Sequence, residues 1–236
     1  MIILDYVHHI NKNTPIEETM RAMVELQGSA STLNFQKQCL IISREGKIKH
    51  IGLCSATSST LRRACKVAPV ACVQVEYSAF VLDIENEAST NLLQTCRELG
   101  VAVVCFGPIG RGLLTGAVTS TEAVAGSSDI RTKWVPRFQE ENMKKNLKVV
   151  DQLKNIASKK GCTPSQLAIA WVLKQGDDII PIPGTKRIKY LEENLASVKV
   201  ELSDEEELEI RRIVQEGDIG GFETSPHTFV DTKEEA

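Results

Sequence analysis

The chain has 236 residues, enough for one domain with a real core, and its 42% hydrophobic and 25% charged residues are ordinary globular usage. A net charge of -3 and a pI near 5.9 imply no basic face of the kind nucleic acid needs. No stretch approaches the roughly 18 apolar residues of a membrane span, and the opening Met1-Ile2-Ile3-Leu4 is too short for a signal peptide.

Seven cysteines stand at 39, 54, 65, 72, 96, 105 and 162, an odd count with no C-x-x-C pair. That pattern suggests neither a disulfide framework nor a zinc site. Cys72 and Cys105 lie in apolar runs and read as small core residues. A reducing, cytoplasmic compartment is the expectation.

Residues 2–7 read as a buried strand from the first residue onward, so the chain opens inside its own core. Thr14-Pro15-Ile16-Glu17 then carries a helix start: a capping Thr, Pro at the first helical position and Glu three residues after the cap. Residues 28–43 fit no amphipathic period, and deleting them would restore a continuous helix-to-strand connection. They are expected to be an insertion that projects or lacks fixed order. Strands follow at 48–54 and 70–76, then a helix over 85–99 closed by Gly100 and a strand at 101–106. Residues 117–136 read as a long polar loop, 137–160 as an amphipathic helix closed by Gly161. Thr163-Pro164-Ser165-Gln166 and Ser203-Asp204-Glu205-Glu206 are two further capping boxes, with a strand at 179–182 between them. Short strands alternating with helices mean a parallel sheet covered by helices. Five strands in this length favour an open α/β sheet on periodicity alone, since an eight-stranded barrel needs about 250 residues.

Three places carry candidate chemistry. Gly107-Pro108-Ile109-Gly110-Arg111-Gly112 follows a strand, where glycines let backbone N–H groups approach phosphate. Its spacing is not that of a Rossmann fingerprint, and a simple tight turn is the competing reading. Pro183-Gly184-Thr185-Lys186-Arg187 opens a helix with two adjacent cations that oppose its macrodipole unless an anion lies between them. A 2′-phosphate would be such an anion; a solvated basic turn is the alternative. His8-His9 ends the first strand, where a barrel places its catalytic groups. A lone His at a strand end is more often structural. No cluster of His, Cys and acid has metal-ligand spacing.

Taken in order, these segments resemble the aldo-keto reductase family. Leu4-Asp5-Tyr6-Val7-His8 with Asn13-Thr14-Pro15-Ile16-Glu17-Glu18-Thr19-Met20 resembles its fourth strand and helix. Gly46 to Leu53 resembles the entry to strand five, Gln74-Val75-Glu76-Tyr77-Ser78 strand six, and Phe106 to Gly116 strand seven with its loop. Ile182-Pro183-Gly184-Thr185-Lys186 with Glu193-Asn194 resembles strand eight and the adenosine-phosphate site. The resemblance covers residues 1 to about 215 apart from 28–43. It implies one partial domain over 1–236: an incomplete (β/α)8 TIM barrel with about five of its eight βα units.

It also implies NADP(H) as cofactor and reduction of aldehydes or ketones, with a small carbonyl compound as substrate. His8 would stand beside the carbonyl. Gln74 would bond the nicotinamide carboxamide, with Cys54 and Ser55 where the family places a Ser and then an Asn or Glu. Phe106 would stack on the nicotinamide ring, and Gly107, Ile109, Gly110, Arg111 and Gly112 would line the pyrophosphate. Gly184, Thr185, Lys186, Tyr190, Glu193 and Asn194 would hold the adenine ribose and 2′-phosphate, with Arg187 nearby. The family's catalytic Asp, Tyr and Lys come from the first three βα units, before residue 1, and His9 replaces a common Arg. Two other readings stay open: a non-catalytic nucleotide binder that regulates a partner, as potassium-channel β-subunits of this superfamily do, and a non-functional fragment.

Overall fold

Five short runs rich in β-branched residues form the strands β1 (Ile2–Val7), β2 (Ile48–Cys54), β3 (Val70–Glu76), β4 (Ala102–Phe106) and β5 (Ile179–Pro181). They lie in one sheet in the order β1-β2-β3-β4-β5 in this computed structural model. Residues 2–27, 48–86, 90–124, 126, 129, 131–221 and 229–235 are described. The expected insertion at 28–43 lies outside them. The helices are α1 (Ile16–Leu26), α2 (Ser58–Val67), α3 (Leu92–Leu99), the four-residue α4 (Arg131–Trp134), α5 (Glu140–Lys160), α6 (Pro164–Lys174), α7 (Ile188–Ala196) and α8 (Asp204–Glu216). Among the described residues no helix is long and apolar enough to cross a membrane. The chain divides into two compact units. Met1–Val75, Asp83–Val104 and Ser225–Ala236 form the first, Glu76–Leu82 and Cys105–Thr224 the second.

In the first unit β1 pairs in parallel with β2, and β2 with β3. Tyr6 stands opposite Gly52, Gly52 opposite Cys72, and Cys54 opposite Gln74; the register skips Ala71. Strand alternation then puts Ile51, Leu53, Val73 and Val75 on one face, all buried. The other face carries Tyr6, Gly52, Cys54, Cys72 and Gln74. A Cβ on Gly52 would lie 2.5 Å from the Tyr6 ring carbons, so glycine is what lets the ring lie across the strand. The Cys72 thiol donates to the Tyr6 hydroxyl at 3.1 Å.

The ends of two helices differ from the sequence expectation, for identifiable reasons. Pro15 occupies the cap position of α1 rather than its first turn, and Thr14 does not cap. The Ile16 N–H instead donates to Thr232 Oγ1 at 3.3 Å, from the far end of the chain. The helix expected over 85–99 is shorter. A 3-10 turn at Asp83–Glu85 precedes it, and Asn91 takes a left-handed conformation at φ 45° just before α3, which its short polar side chain tolerates. Gly100 closes α3 at φ 66°, as expected.

The C-terminal tail ties the first unit together. Val230 bridges Ala56, its N–H donating to the Ser55 carbonyl at 2.8 Å. Asp231 Oδ1 accepts from Thr57 Oγ1 at 2.9 Å and Thr60 Oγ1 at 2.6 Å, and Thr57 caps α2. The Arg63 guanidinium donates to the carbonyls of Thr232 and Lys233 and makes a two-pronged pair with Glu17 of α1, at 2.8 and 2.7 Å. One arginine therefore joins α1, α2 and the tail.

The second unit is built around Trp171 of α6. Its ring lies 5.7 Å from that of Tyr77, both fully buried, and the Arg211 guanidinium lies 5.2 Å above it. Two of the three expected capping boxes form, Thr163 with Gln166 and Ser203 with Glu206. Gly161 closes α5 at φ 70°. The long helix begins at Glu140, not 137, because Pro136–Phe138 forms a separate 3-10 turn that buries Arg137 and Phe138. The described part of the polar loop also holds a 3-10 turn at Glu122–Val124 and the short α4.

The Arg63–Glu17 pair is only 16% and 17% exposed, and hydrogen bonding from Arg63 lowers the Glu17 carboxyl below its ordinary value. A depressed folded value stabilises the native state above the unfolded value of about 4.3 and loses that contribution as pH falls through the folded one. Glu17→Gln is therefore expected to lower stability by about 1–2 kcal/mol at pH 7. Urea melts of the two proteins should converge in the acid range, below the folded value of Glu17. A difference that persists undiminished there would assign the loss to packing.

Candidate functional site

Parallel pairing places the C-terminal ends of β1, β2 and β3 on one side of the first unit. Val7 stands opposite Leu53 and Cys54 opposite Gln74. His8, one residue beyond Val7, is thus level with Cys54 and Gln74. Of the five residues assigned to the nicotinamide and carbonyl, the register brings together His8, Cys54 and Gln74, with Ser55 the next residue along. His8 and His9 are exposed, their ring centroids 4.2 Å apart and their planes tilted by 51°. Cys54 is buried, and burial, with the nearby Cys72, pushes its thiol up to about 11. At neutral pH it is a protonated, weak hydrogen-bond donor rather than a thiolate nucleophile.

Ser55 leaves the strand at φ 57°, a left-handed conformation rare outside glycine and asparagine. Two backbone bonds over-determine it: its N–H donates to the Gln74 carbonyl at 2.9 Å, and its carbonyl accepts from Val230. Gln74 is half-buried and shares a side-chain hydrogen bond with Tyr6. Tyr6 is therefore part of this face. Desolvation first, and then its bond with Cys72, raises its phenol well above the ordinary value, so it stays protonated.

In the second unit Phe106 ends β4, its carbonyl accepting from the Tyr77 N–H at 3.3 Å. The following turn runs through Gly107, Gly110, Arg111 and Gly112, all at positive φ. The amides of Gly110 and Gly112 are used within the turn, donating to the carbonyls of Gly107 and Ile109 at 2.8 and 3.0 Å. The turn's cation is Arg111, its guanidinium 5.9 Å over the Phe106 ring and 3.4 Å from Glu76 Oε2.

Gly184, Thr185, Lys186, Arg187 and Tyr190 are exposed around the start of α7. Thr185 Oγ1 accepts from the Arg187 N–H at 3.2 Å, and the Arg187 guanidinium lies 5.8 Å over the Tyr190 ring. A Cβ on Gly184 would meet nothing within 4 Å, which leaves open approach to the backbone there. Glu193 and Asn194 lie on the side of α7 that faces α6. Glu193 Oε1 accepts from the Thr163 hydroxyl at 2.6 Å, and Asn194 is buried.

The profile of the Aldo/keto reductase family matches residues 4–215. The chain belongs to the aldo-keto reductase family. It is 43% identical over 235 residues to the NADP(+) aldo-keto reductase yakc of Schizosaccharomyces pombe, a match covering 98% of this chain and 64% of that protein. It is 44% identical over 220 residues to aldo-keto reductase str7 of Strobilurus tenacellus, covering 93% and 60%. Among solved structures, a glycerol dehydrogenase of Gluconobacter oxydans superposes with a TM-score of 0.72 at 26% identity, covering 98% of this chain and 63% of that one. A thermostable aldo-keto reductase solved with the inhibitor epalrestat gives 0.62, also at 26% identity, covering 89% and 59%. The chain thus spans less than two thirds of these relatives. Its five-stranded parallel sheet is an incomplete (β/α)8 barrel of the aldo-keto reductase kind. The open sheet suggested by periodicity is therefore a portion of a barrel.

Sequence reasoning missed a buried charge cluster beside the glycine turn of this reductase fold. Glu76 is 9% exposed and pairs at 2.8 Å with Arg137, whose side chain is 8% exposed. The backbone around Arg137 is held by Asn146, which donates to the carbonyls of Arg137 and Gly220 and accepts from the Gly220 N–H. The signal was present in the Pro136-Arg137-Phe138 step, a charge beside an aromatic at a helix start, but a single charge does not announce its burial. Removing one partner leaves an uncompensated buried charge. Glu76→Ala is expected to cost about 3–5 kcal/mol in chemical denaturation, and the double variant Glu76→Met/Arg137→Met to recover most of it. Arg111→Ala, on the exposed side, should cost less than about 1 kcal/mol. Equal losses in all three would contradict this division of roles.

Proposed function

We propose that this chain carries the cofactor-holding portion of an NADP(H)-dependent aldo-keto reductase that reduces aldehydes or ketones, with 1–236 as one partial domain of it. The observation that supports this most is the level row of His8, Cys54 and Gln74, with Ser55 beside it. Gln74 and the Ser55 hydroxyl suit a carboxamide, and His8 stands exposed where a carbonyl would approach. The Phe106 ring offers an aromatic face. Arg111 and the glycine turn offer a cation and close backbone approach to a diphosphate. Lys186 and Arg187, both exposed at the start of α7, fit a phosphate monoester held by two charge-assisted contacts, with Thr185, Tyr190, Glu193 and Asn194 around it. When bound, the reduced nicotinamide supplies the hydride. The chain's own part is to orient that ring and the carbonyl, and a protonated His8 imidazole can donate a hydrogen bond to the developing alkoxide.

A second reading, for this stretch taken by itself, is a nucleotide binder without turnover; the remainder of each curated relative, more than a third of its length, lies outside the match. In the resemblance, that remainder supplies the acid that protonates the carbonyl oxygen, worth typically 10²–10⁴-fold. The two readings share the cofactor site and differ in rate.

Binding is measured by NADPH fluorescence titration. Lys186→Ala is expected to weaken NADPH roughly tenfold or more, since a charge-assisted phosphate contact is worth about 1.5–3 kcal/mol, and to leave NADH nearly unchanged. Equal losses for both would remove the 2′-phosphate from this site. Single-turnover oxidation of NADPH by a nitrobenzaldehyde should run far below about 1 s⁻¹. Turnover at that rate or faster, abolished by His8→Ala, would show that this chain contains its own sufficient acid.

A further inference from the structure

Residues 229–235 run along the start of α2, and their hydrogen bonds concentrate on three consecutive residues. The Val230 N–H donates to the Ser55 carbonyl at 2.8 Å, and the Val230 carbonyl accepts from the Thr57 N–H at 3.3 Å. Asp231 Oδ1 accepts from the hydroxyls of Thr57 and Thr60. Thr57 caps α2, so this carboxylate sits at the positive end of the helix dipole. Thr232 is 6% exposed. Its N–H donates to Thr60 Oγ1 at 3.2 Å, and its own Oγ1 accepts from the Ile16 N–H and from Arg63 at 3.3 and 3.2 Å. The outer pair of Arg21 with Glu235 is exposed on both sides, which makes it a minor part of the attachment.

These contacts close on Ser55. Its φ of 57° lies in the left-handed region, which a serine keeps only where its surroundings over-determine it. Two bonds hold it from opposite sides. Its N–H donates to the Gln74 carbonyl, and its carbonyl accepts from Val230. The first bond continues the pairing of β2 with β3. The second depends on where the tail lies, and therefore on Asp231, which seats the tail against the start of α2. A serine released by Val230 relaxes toward negative φ, and the direction of its side chain beside Cys54 and Gln74 changes with it.

We propose that Asp231 is a positioning residue for the nicotinamide end of the cofactor site. By seating Val230 on the Ser55 carbonyl it fixes the Ser55 backbone, so docking of 230–232 and binding of the nicotinamide carboxamide strengthen each other. The inference rests on the reading of Ser55 and Gln74 as the groups that hold that carboxamide. Coupling between two sites is reciprocal, so a ligand that engages Ser55 also tightens the tail. A ligand with the adenosine and phosphates but no nicotinamide does not. A tail that only stabilised the unit would affect both ligands alike or neither.

The test compares NADPH with 2′,5′-ADP on the full chain, by fluorescence and by calorimetric titration. Asp231→Ala is expected to weaken NADPH roughly tenfold, within the usual range of coupling between sites, and to leave 2′,5′-ADP nearly unchanged. Asp231→Asn keeps an oxygen acceptor for both hydroxyls and should bind NADPH nearly as the parent chain does. Val230→Pro removes the N–H itself and should reproduce the NADPH loss with the carboxylate still present. Hydrogen exchange on the unaltered chain gives the reciprocal measurement and decides the matter if the variants fold poorly. NADPH should slow the amides of Val230 and Thr57, and 2′,5′-ADP should not. Equal losses for the two ligands in Asp231→Ala, or exchange at Val230 that responds to both alike or to neither, would overturn the proposal. A parent chain that takes up neither ligand overturns the functional reading and this inference with it. A parent chain that binds NADPH with an affinity no variant changes overturns this inference alone.

Discussion

Parallel pairing in register is the constraint on which the first unit depends. It makes strand ends, not loops, set the height of each candidate group. Val7 opposite Leu53 and Cys54 opposite Gln74 leave no freedom in where His8 and Gln74 stand relative to one another along the strands. A one-residue slip would exchange Cys54 and Gln74 with Leu53 and Val73 between the two faces of the sheet. The apolar face of Ile51, Leu53, Val73 and Val75 prevents that slip, so the same burial that stabilises the unit aligns its polar end. Gly52 is part of this arrangement, because a side chain there would displace the Tyr6 ring and with it the bond to Cys72.

The tail from 229 to 235 acts on the same end of the sheet. The Ser55 backbone is held between the Gln74 carbonyl and the Val230 N–H, and the next residues enter α2 under a Thr57 cap that Asp231 also grips. Left-handed Ser55 is a local cost, and the tail's hydrogen bonds offset it. Arg63 carries the connection onward to Glu17 of α1, so two helices and the tail share one guanidinium. Arginine suits this position because its planar fork satisfies a carboxylate and backbone carbonyls together, which an ammonium does not.

The second unit solves a different problem. A buried carboxylate at the end of β3 needs a fixed cation, and Arg137 supplies it from a 3-10 turn whose backbone Asn146 holds. Arg111, on the solvent side of the same carboxylate, is held more loosely at 3.4 Å and stays exposed. Two guanidiniums against one carboxylate leave one positive charge in excess, placed on a glycine turn next to an aromatic ring. That is a physical basis for anion affinity that the glycine pattern alone does not provide, since two of the turn's amides are already used within it.

Strand positions, two of three capping boxes, the glycine stops at 100 and 161 and the order of family motifs were legible in the sequence. Each depends on residues within a few positions of one another: β-branched runs, a Thr or Ser followed three places on by Gln or Glu, a Gly at a left-handed cap. The order of the motifs also carried the resemblance to the family, and the family profile matched over residues 4–215. What only the tertiary structure decided involves partners far apart in sequence. Thr14 failed as a cap because Thr232, 216 residues from Ile16, supplies the acceptor. Arg137 looked like the first residue of a helix because periodicity does not register a carboxylate 61 positions upstream. Tyr6 carried no assignment from the sequence, and only the register set it against Gly52 and Cys72. For the helix opened by Lys186 and Arg187, only packing decided that the side of Glu193 and Asn194 faces α6, because the residues of one helix do not show which of its sides has a partner.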